Sequence, residues 1–315
     1  MMAFLRLIRF KNLVIIVLLQ YLLRYGLLLP MLEFYDIVPA LSNLRFSLLV
    51  IATVFLAASG YVINDYFDLR IDRVNRPDKV VVGYVFQRRT VLLFHVIFTF
   101  IGVFTGLFLA YITRKETYAL MFILLPFLLW YYSTTLKKHM ILGNLIISLL
   151  TALVAYFVVS LEFAALARIH GDAILETEAC SMAWFWTTGF AFFAFISNLG
   201  REIIKDMEDV KGDKIAGCHT LPIEMGMGYT KTIVVILSLA SVIFLWIIYA
   251  VVPELNQSSI TLAYFILLLT LPYLLIAARI YSAHETKHYH QASQLSKLTM
   301  LFGILFILVA RTFFV

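Results

Sequence analysis

Runs of apolar residues divide the chain into nine stretches, each close to the roughly 20 residues a helix needs to cross a bilayer. They fall at 13–29, 46–63, 91–112, 118–136, 141–160, 182–199, 232–252, 260–281 and 295–314. The apolar residues are continuous rather than alternating, so the pattern predicts helices and not barrel strands. The expected fold is an all-α integral membrane bundle. Most connections are short. Two long inner segments, 64–90 and 200–231, and an acidic outer segment, 161–181, stand out. The outer one reads as a solvated surface loop.

Composition agrees. Of the residues, 62% are hydrophobic and only 14% charged, against about 25% charged in a soluble globular protein. That excludes a soluble enzyme, and the same figures exclude intrinsic disorder. The net charge of +6 reads as cytoplasmic loops held against anionic lipid, with no nucleic-acid partner. With the N-terminus inside, 19 of the 25 Lys and Arg residues fall on the inner side, which predicts an N-inside, C-outside topology. Cys180 and Cys218 show neither a CxxC nor a metal-type spacing, so neither a disulfide nor a zinc site is expected. The apolar stretch after Lys11 is too long for a cleavable signal peptide, and the first span is expected to be retained.

The chemistry concentrates in the two inner segments. Both contain D-x-x-D-x-x-x-D: Asp65, Asp68 and Asp72 in the first, Asp206, Asp209 and Asp213 in the second, offset throughout by 141 residues. Ten of the 19 acidic residues lie in 65–78 or 202–224. The constant offset predicts two four-helix repeats, about 12–160 and 161–290, with a ninth span added, in one domain over 1–315. On a helix, Asn64, Asp68 and Asp72 stack at i, i+4, i+8, and Asp206, Asp209 and Asp213 at i, i+3, i+7, with Glu202 one turn earlier. Like charges so placed destabilise a helix by roughly 0.2–0.5 kcal/mol per pair, and more at the end of a membrane span. A hard divalent cation offsets this. Carboxylate and amide oxygens suit Mg²⁺, which keeps waters and bridges to phosphates. Facing carboxylate clusters of this kind suit two or three Mg²⁺ around one diphosphate. The bland alternative is a solvated acidic face balanced by Arg70, Arg73, Lys205 and Lys211.

At these residues the chain resembles the UbiA-type intramembrane prenyltransferases. Asn64–Pro77 is similar to that family's NDxxDxxxDxxNRP motif. Asp206–Asp213, with Gly217 and Thr220-Leu221-Pro222, is similar to DxxDxxGD…G…TLP. Tyr132-Ser133, Lys137-Lys138 and Gly143-Asn144 resemble the family's segment joining spans 4 and 5. The resemblance implies a cavity opening to lipid, a prenyl diphosphate as substrate, and Mg²⁺ held by Asn64, Asp68, Asp72, Asp206, Asp209 and Asp213. Of these, Asp68, Asp72, Asp206 and Asp213 are the catalytic candidates. Lys137, Arg73, Lys205 and Tyr132 are candidates to bind the diphosphate. Arg201-Glu202 before KDxEDxxGD, and TLPIEMG after it, resemble the branch that attaches geranylgeranyl to a prenylated glycerol phosphate. The alternative acceptor is an aromatic quinone or pigment precursor. After Pro77 the chain departs from the common family pattern, reading Asp78-Lys79-Val80-Val81-Val82-Gly83. The implied reaction ionises an allylic diphosphate and captures the carbocation with the lipophilic acceptor.

Two other classes compete. His284-Glu285-Thr286-Lys287-His288 reads HExxH, a zinc-protease pattern. No Asp or Glu follows Glu285 to serve as third ligand. A transporter would also show repeats and intramembrane charge, but these acids gather at one side rather than at the midplane.

Overall fold

The computed structural model describes residues 1–314. Among them, nine helices are long and apolar enough to cross a membrane. They are α1 (Phe10–Phe34), α2 (Asn43–Phe67), α3 (Arg88–Thr113), α4 (Glu116–Lys138), α5 (Leu142–His170), α6 (Glu178–Ile215), α7 (Gly226–Val251), α8 (Ser259–Tyr281) and α9 (Thr286–Phe313). Beta structure among the described residues is limited to one bridge, Val82 to Phe86.

The helices start and bend for local reasons. Ser42 Oγ accepts the Arg45 N–H at the head of α2, and Ser258 Oγ accepts that of Thr261 at the head of α8. Each side chain satisfies a donor that has no partner within the helix. Helices α1 and α8 each widen into a π turn, at Leu23–Leu28 and Phe265–Thr270. In both a proline follows closely, Pro30 and Pro272. A proline ring crowds the carbonyl four residues earlier and lacks an N–H, which a π turn accommodates.

Two helices run well past the C-terminal ends that the apolar pattern predicts. Helix α6 continues through Ile215, so residues 200–215 of the expected inner loop are helical. Helix α5 continues through His170. That overturns the solvated-loop reading at Glu162, which is fully buried.

The chain divides into two compact units, Met1–Lys137 with Val154–Thr187, and Lys138–Leu153 with the residues from Thr188 onward. In the first, α2 packs against α3 and α4. A Cβ on Gly102 of α3 would lie 2.7 Å from Leu56 of α2, and one on Gly106 would lie 2.2 Å from Phe122 of α4. Small residues let membrane helices approach where no hydrophobic drive draws them together. Arg24 and Glu162 form a buried ion pair in this unit, Nη1 to Oε2 at 2.6 Å. Glu162 Oε1 also accepts the N–H groups of Ala40 and Leu41. In the second unit α7, α8 and α9 pack in sequence. Ser197, Ser238, Ser241 and Ser296 each donate to the carbonyl four residues earlier, which satisfies their hydroxyl protons without water.

Candidate functional site

The first aspartate motif lies where α2 ends. Helical dihedrals break at Asp68 and resume in a short helix, Leu69–Asn75. The i, i+4 row survives the break: Asp68 N–H reaches Asn64 O at 2.9 Å, and Asp72 N–H reaches Asp68 O at 2.8 Å. Asn64 Nδ2 donates to Asp68 Oδ2 at 2.7 Å. Lys137, in the turn Leu136–Lys138, donates to Asn64 Oδ1 at 3.4 Å and pairs with Asp68 Oδ1. The structure thus brings Asn64, Asp68 and Lys137 together.

Asp72 completes the row electrostatically. Burial, and then the charges of Asp65 and Asp68, push its carboxyl up to about 7, against the pull of Arg9 and Arg76. Two of the proposed diphosphate ligands lie differently. Arg73 is exposed, with its guanidinium 5.5 Å from the centre of the Tyr84 ring. Tyr132 is half-buried near the end of α4. Beyond the motif, Arg76 is extended at φ −147°, as the residue before a proline tends to be. Val81 and Val82 then fold back into the interior.

The second motif lies along α6. Asn144 Nδ2, from the first turn of α5, donates to Asp206 Oδ2 at 2.7 Å. Glu202 accepts from Arg201 Nη1 and from Lys205 Nζ, both at 2.8 Å. Lys205 is thus tied to a carboxylate on its own helix. His290 Nδ1 lies 2.9 Å from Glu208 Oε1. Asp213 is buried in the last turn of the helix. There Cys218 N–H closes back on Asp213 O at 2.9 Å, with Gly217 at φ +70° between them. Glycine adopts that left-handed conformation without strain. His219 N–H then donates to Lys138 O at 2.8 Å.

Sequence reasoning missed two groups at these motifs. Arg9 pairs with Asp65, Nη2 to Oδ1 at 2.9 Å, although its sequence position marks it only as a topology charge. Asn144 lies in the third motif-like stretch, but nothing local tells that it reaches Asp206.

Donor chemistry suits a hard dication. The row offers carboxylate and amide oxygens, and burial together with crowding of like charge holds Asp72 above its ordinary range. A bound dication reverses that effect. Among the described residues no three His, Cys, Asp or Glu side chains come together as a metal site. Mg²⁺ needs fewer protein ligands than such a group supplies, because it retains waters and takes others from phosphate. The HExxH reading fails on geometry. His284 precedes the first turn of α9, and its N–H donates to His288 Nδ1, so the two histidines do not share the helical face a zinc pair needs.

The profile of the UbiA prenyltransferase family matches residues 27–309. The digeranylgeranylglyceryl phosphate synthase of Thermococcus sibiricus is 34% identical over 209 residues, 64% of this chain and 64% of that protein. The match thus spans just under two thirds of that relative's length. A solved structure of digeranylgeranylglyceryl phosphate synthase superposes with a TM-score of 0.62 at 23% identity, covering 98% of this chain and 97% of that one. A UbiA homologue from Archaeoglobus fulgidus bound to DMAPP and Mg²⁺ gives a TM-score of 0.54 at 18% identity, covering 98% and 99%. The two structural likenesses are of fold.

Proposed function

The chain belongs to the UbiA prenyltransferase family, and from that premise we propose that it transfers a polyprenyl group from its diphosphate to a lipophilic acceptor. The group of first choice is geranylgeranyl, and the acceptor a prenylated glycerol phosphate. The observation that carries this reading is the grouping of Asn64, Asp68 and Lys137, with Asp72 one turn on. It offers hard oxygen ligands and one ammonium group to the same ligand.

In this reading Asn64, Asp68 and Asp72 hold metal at the first motif, and Asp206, Asp209 and Asp213 hold metal at the second. Mg²⁺, when bound, neutralises charge that develops on the leaving diphosphate. Lys137 exchanges its bond to Asp68 for one to a diphosphate oxygen, which aims a cation at the developing charge. Lys205, released from Glu202, serves the second motif in the same way. Tyr132 and Arg73 remain candidates to contact the diphosphate. The apolar helices keep water from the allylic cation, which otherwise quenches to the alcohol. The C1–oxygen bond to the diphosphate breaks, the acceptor hydroxyl oxygen bonds to C1, and its proton passes to the released diphosphate. The relatives' glycerol-phosphate chemistry supports the choice of acceptor, and the ligands of the Archaeoglobus homologue support Mg²⁺ and a prenyl diphosphate. We further propose that the motifs face the cytoplasm, as the Lys and Arg distribution argues, and that the bundle arose from two four-helix repeats.

The test is a membrane assay with labelled geranylgeranyl diphosphate and a panel of acceptors. Transfer to a prenylated glycerol phosphate is expected, with loss of turnover on stripping divalent metal. Asp68→Ala and Asp213→Ala should each lower kcat on the order of 10²-fold or more. Unchanged turnover in either variant refutes the site. Transfer to an aromatic acid instead overturns the acceptor.

A further inference from the structure

Arg9 lies outside the matched family segment 27–309, yet it reaches the first aspartate motif. It sits between a short helix, Met2–Leu7, and α1, in the left-handed conformation at φ +48°. A non-glycine residue there is strained, so the surrounding packing must hold it. That packing is visible. Leu7, Ile8 and Leu13 are buried with Ala58 and Val62 of α2 and with Val82 from the loop after the motif. Phe4 meets the rings of Phe94 and Phe98 on α3 edge to face. Ala58, Val62 and Asp65 fall on one face of α2 by their i, i+4, i+7 spacing. The N-terminal turn is laid along that face, which puts the Arg9 guanidinium 5.0 Å from the Tyr61 ring centre and 2.9 Å from Asp65.

Asp65 differs from its neighbours in the motif. Asn64, Asp68 and Asp72 form one row, and Asp65 is rotated about 100° from Asn64 around the helix. We infer that Arg9 is a positioning residue of the diphosphate site. It holds Asp65 outside the metal-ligand set and balances its charge, so that the site favours metal carried on a diphosphate over bare metal. The inference rests on the metal–diphosphate reading above. Without Arg9, Asp65 loses its cation and, wherever it stays ionised, adds negative charge beside the row. Bare Mg²⁺ should then bind more tightly and the diphosphate more weakly.

The test uses the purified full chain in detergent, with Mg²⁺ binding followed by calorimetry in the absence of substrate. Arg9→Gly removes the charge while keeping a residue that accepts the left-handed turn. Its Mg²⁺ Kd should fall about fivefold, and its KM for the prenyl diphosphate should rise by a similar factor. Arg9→Lys retains charge and should stay within about twofold of the parent on both measures. Adding Asp65→Asn to Arg9→Gly should return the Mg²⁺ Kd to the parent value. A merely structural role for Arg9 predicts weaker or unchanged Mg²⁺ binding and no rescue, and that result overturns the inference. Asp68→Asn separates the two levels. If it fails to weaken Mg²⁺ binding, the metal reading itself is wrong. If it does weaken binding while Arg9→Gly changes nothing, only the role of Arg9 falls.

Discussion

Binding of Mg²⁺ should be linked to a proton held by Asp72. In the metal-free protein, burial and the neighbouring charges of Asp65 and Asp68 push this carboxyl up to about 7. A metal ligand must be ionised, so below that pH each Mg²⁺ bound expels a proton. About half of the Asp72 groups are ionised at pH 7, about a tenth at pH 6 and about a hundredth at pH 5. The apparent affinity should therefore fall about 50-fold between pH 7 and pH 5. It should rise less than about twofold between pH 7 and pH 8. A carboxyl at its ordinary value of 3.8 would give a nearly flat profile across the whole range. Calorimetric titration of Mg²⁺ at half-unit pH steps, in two buffers of different ionisation enthalpy, reads both the affinity and the protons released. Asp72→Asn should weaken binding at pH 8 and flatten the profile. A parent profile flat from pH 5 to 8, or proton uptake on binding, would refute the argument.

The same shift has a signed consequence for stability. The native state holds a proton on Asp72 between about pH 4 and pH 7 that the unfolded chain has released. Asp72's contribution to stability is therefore full near pH 4 and lost as pH rises to about 7. Added Mg²⁺ should reverse the loss at the upper end of that window.

Three further outcomes follow from particular contacts. Arg24→Met leaves Glu162 buried and charged without its partner, and should cost about 3–5 kcal/mol in detergent unfolding; Arg24→Met with Glu162→Gln should recover part of it. A Cβ on Gly303 of α9 would lie 2.0 Å from a ring carbon of Phe193, while one on Gly189 of α6 meets nothing within 4 Å. Gly303→Ala should therefore lower thermal stability by about 1–3 kcal/mol and Gly189→Ala should not. Elemental analysis of the purified protein should find no stoichiometric zinc, and His288→Ala should retain transfer activity.

Hydropathy made the nine spans legible because a bilayer imposes one length on every helix that crosses it. It failed where other forces set the boundary. Helix α6 runs past the apolar stretch to Ile215 because its polar residues still propagate a helix and Ile203, Ile204 and Met207 bury one face of it. Glu162 was misread for the opposite reason. Its partner Arg24 lies 138 residues earlier, and its other partners are backbone N–H groups of Ala40 and Leu41. No local pattern distinguishes a carboxylate so enclosed from one in a loop. The row of Asn64, Asp68 and Asp72 was legible because residues at i, i+4 spacing align wherever the helix persists, whereas nothing local tells that Lys137 reaches Asp68 across 69 residues. Arg9 was not legible either, since its approach to Asp65 depends on a left-handed turn that few sequences signal.

The resting partners of the acids bear on how such a site folds at all. Asp68 is paired with Lys137, Asp65 with Arg9, Asp206 with Asn144, and Glu202 with Arg201 and Lys205. Two rows of adjacent carboxylates would resist insertion at a membrane boundary if each awaited a metal ion. Protein cations and amides already partner these four acids in the fold. On the proposed reading, ligand binding is then an exchange, in which a metal-bound diphosphate would bring both the cations that replace Lys137 on Asp68 and the anion that receives the displaced ammonium. Bare metal brings only the first and leaves Lys137 without a partner. A site built this way favours the complete metal–substrate complex over either component, because only the complex satisfies every group that it displaces.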